Sequence, residues 1–213
     1  MTTSASSTAE TAETAATAVT ATTAATATAT AGRTTTRLAV LISEIREAVG
    51  LGLPPDPTAY LVGERLARHL GADDLLTAGQ RASDPERYRQ HLLHAERDGS
   101  FSVVALVWLP GQRTPVHDHV AWCTTGVHAG AEQERRYRLV PSCDGTAARL
   151  VATADIVNPQ GTVCGFAPPG DIHRVWNAGT DVAISLHVYG ADLSRLGTSV
   201  RRVYEAGDEP QPH

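Results

Sequence analysis

From Phe101 onward the chain is a succession of short apolar, β-branched segments, and no other feature restricts its fold as much. FSVVALVWL, at 101–109, reads as a buried strand. Further strands are expected over 119–128, 134–140, 147–152, 162–166, 173–177 and 182–189, with Gly- and Pro-containing turns between them. No amphipathic helix interrupts the series, which argues against a parallel βαβ sheet and for an all-β barrel.

The first half has a different texture. Leu38, Leu41, Ile42, Ile45 and Val49 fall at helical spacing over 37–50, with Thr36 able to cap the start and Gly50 to end it. Asp56 and Pro57 read as the start of a second helix carrying Leu61, Val62, Leu66 and Leu70, stopped at Gly71. A short third helix is expected over 84–94, from Asp84 through Leu92 and Leu93. These helices read as packing support for the barrel. Residues 1–36 are almost all Ala, Thr and Ser, too poor in apolar surface to offset their ordering entropy, and read as a disordered tail. The organisation expected is therefore a tail (1–36) and one domain (37–213), with helical support over 37–96 and the barrel over 100–205. The tail lacks the charged start and Leu-rich centre of a secretory signal.

Composition excludes several classes. A net charge of −5 with a pI near 6.0 gives no basic stripe for nucleic acid. No run of about 18 apolar residues exists to span a membrane. The cysteines, Cys123, Cys143 and Cys164, are odd in number and form no paired clamp, which points to a reducing cytoplasm. Nothing implies a protein partner.

Two stretches carry chemistry. Gly111, His117, His119, Cys123 and Gly130 read as G-x5-H-x-H-x3-C-x6-G. Histidines one residue apart on a strand share a face, so both can reach one metal ion, while Asp118 between them must point away. Pro168, Gly170, His173 and Asn177 read as P-x-G-x2-H-x3-N, a tight turn that places a third histidine at the head of a strand. Three imidazoles suit zinc, copper, nickel or iron, and a zinc hydrolase would use the same set. Ser185, His187 and Tyr189 alternate along one strand and share a face, which is costly to bury unless they are networked. His69, His91, His94, His128 and His213 have no such pattern and read as structural.

The two stretches resemble the paired signature motifs of the cupin superfamily, which implies a mainly β, cupin-type small barrel behind the N-terminal helices. Cys123 stands where cupins usually carry a glutamate ligand, and Gly161 sits one residue further out than the usual leading glycine. Cysteine at that place, together with S-x-H-x-Y, resembles the cysteine dioxygenase family over roughly Arg87 to Tyr204. The resemblance implies Fe(II) held by His117, His119 and His173. It implies a small thiol and O2 as substrates, a sulfinic acid as product, and a Ser185–His187–Tyr189 relay ending beside the metal. In mammalian-type relatives a cysteine near position 123 is joined to the relay tyrosine by a thioether. Here Cys123 lies one residue closer to the histidines than in that pattern, so a Cys123–Tyr189 crosslink and a free thiol both stay open. Relatives that oxidise cysteine place an arginine in the Tyr88–Gln90 region to hold the substrate carboxylate. A bacterial subgroup similar to 3-mercaptopropionate dioxygenases places glutamine there, which matches Gln90 and leaves Arg201 or Arg202 as the cation. Another metal-dependent cupin enzyme would ordinarily retain the missing glutamate, and a non-enzymatic binding cupin would show gaps in the ligand set.

Overall fold

A strand lying between two apolar layers must be apolar on both faces. Ser102–Trp108 is such a strand. Val103, Ala105 and Val107 pack toward the helices, and Val104, Leu106 and Trp108 face the opposite way, into the barrel. The structure, a computed structural model, describes residues 28–29, 34–141 and 148–205. Most of the tail expected over 1–36, Cys143 and the chain beyond 205 lie outside the described residues.

In chain order the elements are β1 (Thr28–Ala29), α1 (Thr36–Gly50), α2 (Pro55–Ala67), a 3-10 turn (Ala78–Arg81), β2 (Arg89–Ala95), β3 (Ser102–Trp108), β4 (Val116–His119), β5 (Cys123–Ala129), β6 (Ala131–Val140), β7 (Arg149–Pro159), β8 (Val163–Phe166), β9 (His173–Trp176), β10 (Ala183–Tyr189), α3 (Leu193–Leu196) and β11 (Val200–Tyr204). The strands form one sheet in the order β1-β2-β3-β10-β5-β8 and a second in the order β11-β4-β9-β6-β7. All pairings are antiparallel apart from β1 with β2. This is the small two-sheet barrel that the strand series implies.

The helices cover the outer face of the first sheet. Leu38, Leu41, Ile42 and Ile45 of α1 and Val62 and Leu66 of α2 join Val103, Ala105, Val107, Ile184, Leu186 and Val188 in one core. α2 approaches so closely that a Cβ at Gly165 would lie 3.0 Å from the Ala59 carbonyl oxygen.

Four local expectations are corrected. Residues 89–95 form a strand, not the end of a third helix: β2 pairs with β3, Gln90 opposite Leu106 and Leu92 opposite Val104. The Asp84 side chain accepts from the Glu86 amide at 2.9 Å, a local turn rather than a helix cap. The strand expected over 119–128 is two strands, because the chain turns between sheets after His119. The cap of α1 is Thr35, whose Oγ1 accepts from the Leu38 amide at 3.1 Å, and α2 starts on Pro54 with no side-chain cap. β11 was absent from the expected strands, since VRRVY has no alternating apolar face.

Candidate metal centre

The two sheets bring different parts to the barrel interior. The second sheet supplies the histidines: β4 carries His117 and His119, and His173 on β9 is the cross-strand partner of His117. All three are buried. Their ring centroids lie 4.8 to 5.0 Å apart, and one ring nitrogen from each falls within 4.8 Å of the others.

Each Nδ1 already faces an acceptor. That of His117 is 3.0 Å from the Pro115 carbonyl oxygen, that of His119 is 3.0 Å from Asp171 Oδ2, and that of His173 is 2.9 Å from Glu134 Oε1. An acceptor at Nδ1 keeps the proton there and leaves Nε2 bare as a ligand atom. Burial, reinforced by the neighbouring histidines, pulls the His117 pKa well below its ordinary value; burial also lowers His119, against the pull of Asp171. Neutral imidazoles with bare nitrogens turned together suit a metal ion. The turn before β9 contains Gly170 at φ 104, a conformation that favours glycine, and it delivers Asp171 to both the His119 amide (2.9 Å) and its ring. Burial alone would raise Glu134; hydrogen bonds from His173 and Arg136 outweigh it and hold the carboxyl at about 2.

The first sheet supplies the relay. On β10, Ser185 Oγ lies 3.0 Å from His187 Nε2, and His187 Nδ1 lies 3.1 Å from the Tyr189 hydroxyl. Burial, then the charge of His119 and His173, lowers His187 to about 3. Burial raises the Tyr189 phenol well above its ordinary value, so it keeps its proton. The Tyr189 ring stands 6.0 Å from that of His119. Cys123 on β5 is the cross-strand partner of Tyr189; its thiol is fully buried and raised by that burial.

The three histidines, His187 and Tyr189 line one cavity with Tyr88, Gln90, Leu106, Trp108 and Val175. Gln90 is therefore brought to the site. Arg201 and Arg202, the cations expected to hold a substrate carboxylate, are not among the residues that line this cavity. Asp118 faces away from its histidine neighbours and binds Arg201 Nη2 at 2.5 Å and the Tyr204 hydroxyl at 2.7 Å. Arg202 is exposed. The partners that orient the histidines, Asp171 and Glu134, were not singled out from sequence. Their one legible signal is position: Glu134 alternates with Glu132 on a strand face, two acids where burial is expensive.

The sequence model of the family described as "Cysteine dioxygenase type I" matches residues 78–201, more than half of the chain. The chain belongs to the cysteine dioxygenase type I family. That places this cysteine dioxygenase family member among cupin-type thiol dioxygenases. It is also similar to solved structures of an RmlC-like cupin protein from Desulfovibrio desulfuricans (23% identity over 57% of this chain and 98% of that one, TM-score 0.39). A cupin 2 conserved barrel domain protein from Salinispora arenicola matches at 19% identity over 54% of this chain and 83% of that one, TM-score 0.38. Protein TT1209 from Thermus thermophilus matches at 20% identity over 55% and 95%, TM-score 0.37.

Proposed function

We propose that the protein is an Fe(II)-dependent thiol dioxygenase that adds both atoms of O2 to the sulfur of a small free thiol, giving the sulfinic acid. The observation that carries this reading is a three-histidine cluster without a carboxylate ligand, beside a Ser-His-Tyr relay whose His187 and Tyr189 line the same cavity. Fe(II) held by His117, His119 and His173 would supply the redox chemistry and the positive charge that favours a thiolate. The chain does the rest. Asp171, Glu134 and the Pro115 carbonyl keep the ligand nitrogens aimed. Tyr189 keeps its hydroxyl at the site, fixed by His187. Leu106, Val175 and Trp108 exclude water. Gln90 stands at the same wall as a neutral hydrogen-bonding group for the substrate's distal end. An outer groove meets the cavity at Tyr88 and Pro115 and carries Arg87 and Arg113 beside Asp84 and Glu86.

Among the described residues no helix is long and apolar enough to cross a membrane, and Cys123 and Cys164 are free thiols. The free thiols are what a reducing setting would keep, and a cytoplasmic location is proposed on that ground alone.

The test is anaerobic loading with Fe(II), then oxygen uptake with a panel of thiols and mass spectrometry of the product. His119→Ala should lose metal and activity together, whereas Tyr189→Phe should keep the metal and slow turnover by about 10–100-fold. Full activity in metal-free His119→Ala would overturn the reading.

A further inference from the structure

The cavity at the histidines is too small to hold a whole substrate. Its volume is about 20 Å3, room for about one water-sized group. The groove outside it, which shares Tyr88 and Pro115 with it, has a volume of about 740 Å3. Whatever carries the sulfur therefore lies mostly in the groove. The two rims of the groove are tied together before any ligand arrives. Gln112 Oε1 accepts from the Leu109 amide at 2.8 Å, and Gln112 Nε2 donates to the Asp84 carbonyl oxygen at 2.8 Å. The Gly111 amide donates to the Asn177 carbonyl oxygen at 2.8 Å, which anchors the same loop just beyond β9. A groove fixed in this way loses little freedom when it binds.

Charge divides the groove from the cavity. The groove carries Asp84 and Glu86 against Arg87 and Arg113. Two acids and two arginines leave no net charge, so a ligand with a single charge gains at one pair and loses at the other. A ligand with both an ammonium and a carboxylate gains at both pairs. Among the described residues that line the inner cavity there is no aspartate, glutamate, lysine or arginine. The neck between the two holds Pro115 and Tyr88, whose ring stacks on Trp108 at 4.5 Å. Gln90 on the cavity wall offers an amide donor and an amide acceptor, the complement of another amide.

We propose that the groove is a second subsite, built for the zwitterionic end of an extended thiol whose sulfhydryl is joined to that end through an amide. The sulfhydryl enters the cavity, and the amide lies at the neck within the range of Gln90. The distal ammonium meets Asp84 and Glu86, and the distal carboxylate meets Arg87 and Arg113. Glu86, Arg87 and Arg113 are exposed, so water screens each contact and the selectivity comes from the pairs acting together. The chemistry rests on the thiol dioxygenase reading and is unchanged by the tail: R–SH and O2 give R–SO2H, both oxygen atoms going to a sulfur that gives up four electrons. Binding of the tail in the groove does not depend on that reading.

The experiment uses the full chain and three thiols that share a two-carbon arm. 3-Mercaptopropionate has no tail, N-acetylcysteamine has the amide alone, and γ-glutamylcysteamine has the amide and the zwitterion. After anaerobic Fe(II) loading, kcat/KM from oxygen uptake should be about tenfold higher for γ-glutamylcysteamine than for N-acetylcysteamine, the equivalent of two exposed ion pairs. The double variant Glu86→Ala, Arg87→Ala should bring that ratio close to one. A wild-type ratio near one, or a raised ratio that survives in the double variant, would overturn the proposal. γ-Glutamylethylamine, the same tail without sulfur, gives a second readout that needs no turnover. It should shift the backbone amide NMR signals of Glu86, Arg87 and Arg113 in the wild type and not those of Arg113 in the double variant. Such binding with no oxidation of any of the thiols would sink the dioxygenase reading and leave the subsite standing. Oxidation of the short thiols with no binding of γ-glutamylethylamine would do the reverse.

Discussion

At the scale of single residues, the centre depends on what holds each imidazole. Glu134 is the clearest case: it joins His173 to Arg136, whose Nε and Nη2 reach the carboxylate at 3.0 and 3.1 Å. A carboxylate behind a ligand histidine fixes its tautomer and strengthens it as a donor. Glu134→Gln removes the charge while preserving the shape. Metal affinity, measured by chelator competition, should fall about 10–100-fold with the fold intact. Unchanged affinity would show that His173 is held by packing alone. The three histidines themselves were legible in the sequence because two of them sit within one strand, where spacing alone sets the face. Glu134 and Asp171 were not, since their roles depend on how β6 pairs with β9 and how the turn before β9 meets β4. Arg201 was legible as a cation but not as the partner of Asp118, which only the β11–β4 pairing reveals.

At the scale of elements, the same contrast holds. β3 and β10 were readable because burial on both faces leaves a continuous apolar or networked run. β2 was misread because Asp84 and Pro85 mimic a helix start, and only pairing with β3 converts RQHLLHA to a strand. α2 shows how a remote element bears on the centre. It lies against β8 at Gly165, and β8 ends in Phe166, whose ring is 5.1 Å from that of His119 and 5.2 Å from that of His173. In Gly165→Ala the new methyl meets the backbone of Ala59, which cannot rotate away. The expected cost is roughly 1–3 kcal/mol in chemical denaturation. Gly79→Ala, where nothing lies within 4 Å and φ is ordinary, serves as the control and should be close to neutral. Equal stability of the two variants would mean that α2 can shift freely on the sheet.

At the scale of the whole molecule, the cavity has walls of unequal freedom. The Ser185–His187–Tyr189 wall is built into a strand buried at all of its positions, with Ile184, Leu186 and Val188 locked into the helical core behind it. The Gln90 wall belongs to β2, most of whose side chains are only partly buried. Gln90 is neutral, and no arginine lines the inner cavity among the described residues. A substrate that anchors through sulfur alone therefore loses less here than one that needs a clamped carboxylate. 3-Mercaptopropionate should match or exceed cysteine in kcat/KM, and Gln90→Ala should alter that ratio more than metal content. A preference for cysteine of about a hundredfold, near 3 kcal/mol, would contradict this.

That inequality bears on how such a protein can diversify. The strand β10 answers to two interiors at once, one on each face, so a change suited to one thiol would disturb the packing behind it. A residue on β2 answers mainly to the substrate. In a saturation library selected on new thiols, accepted substitutions should gather on β2 and leave β10 almost bare: the machinery is conserved by its neighbours, and the appetite is free to wander.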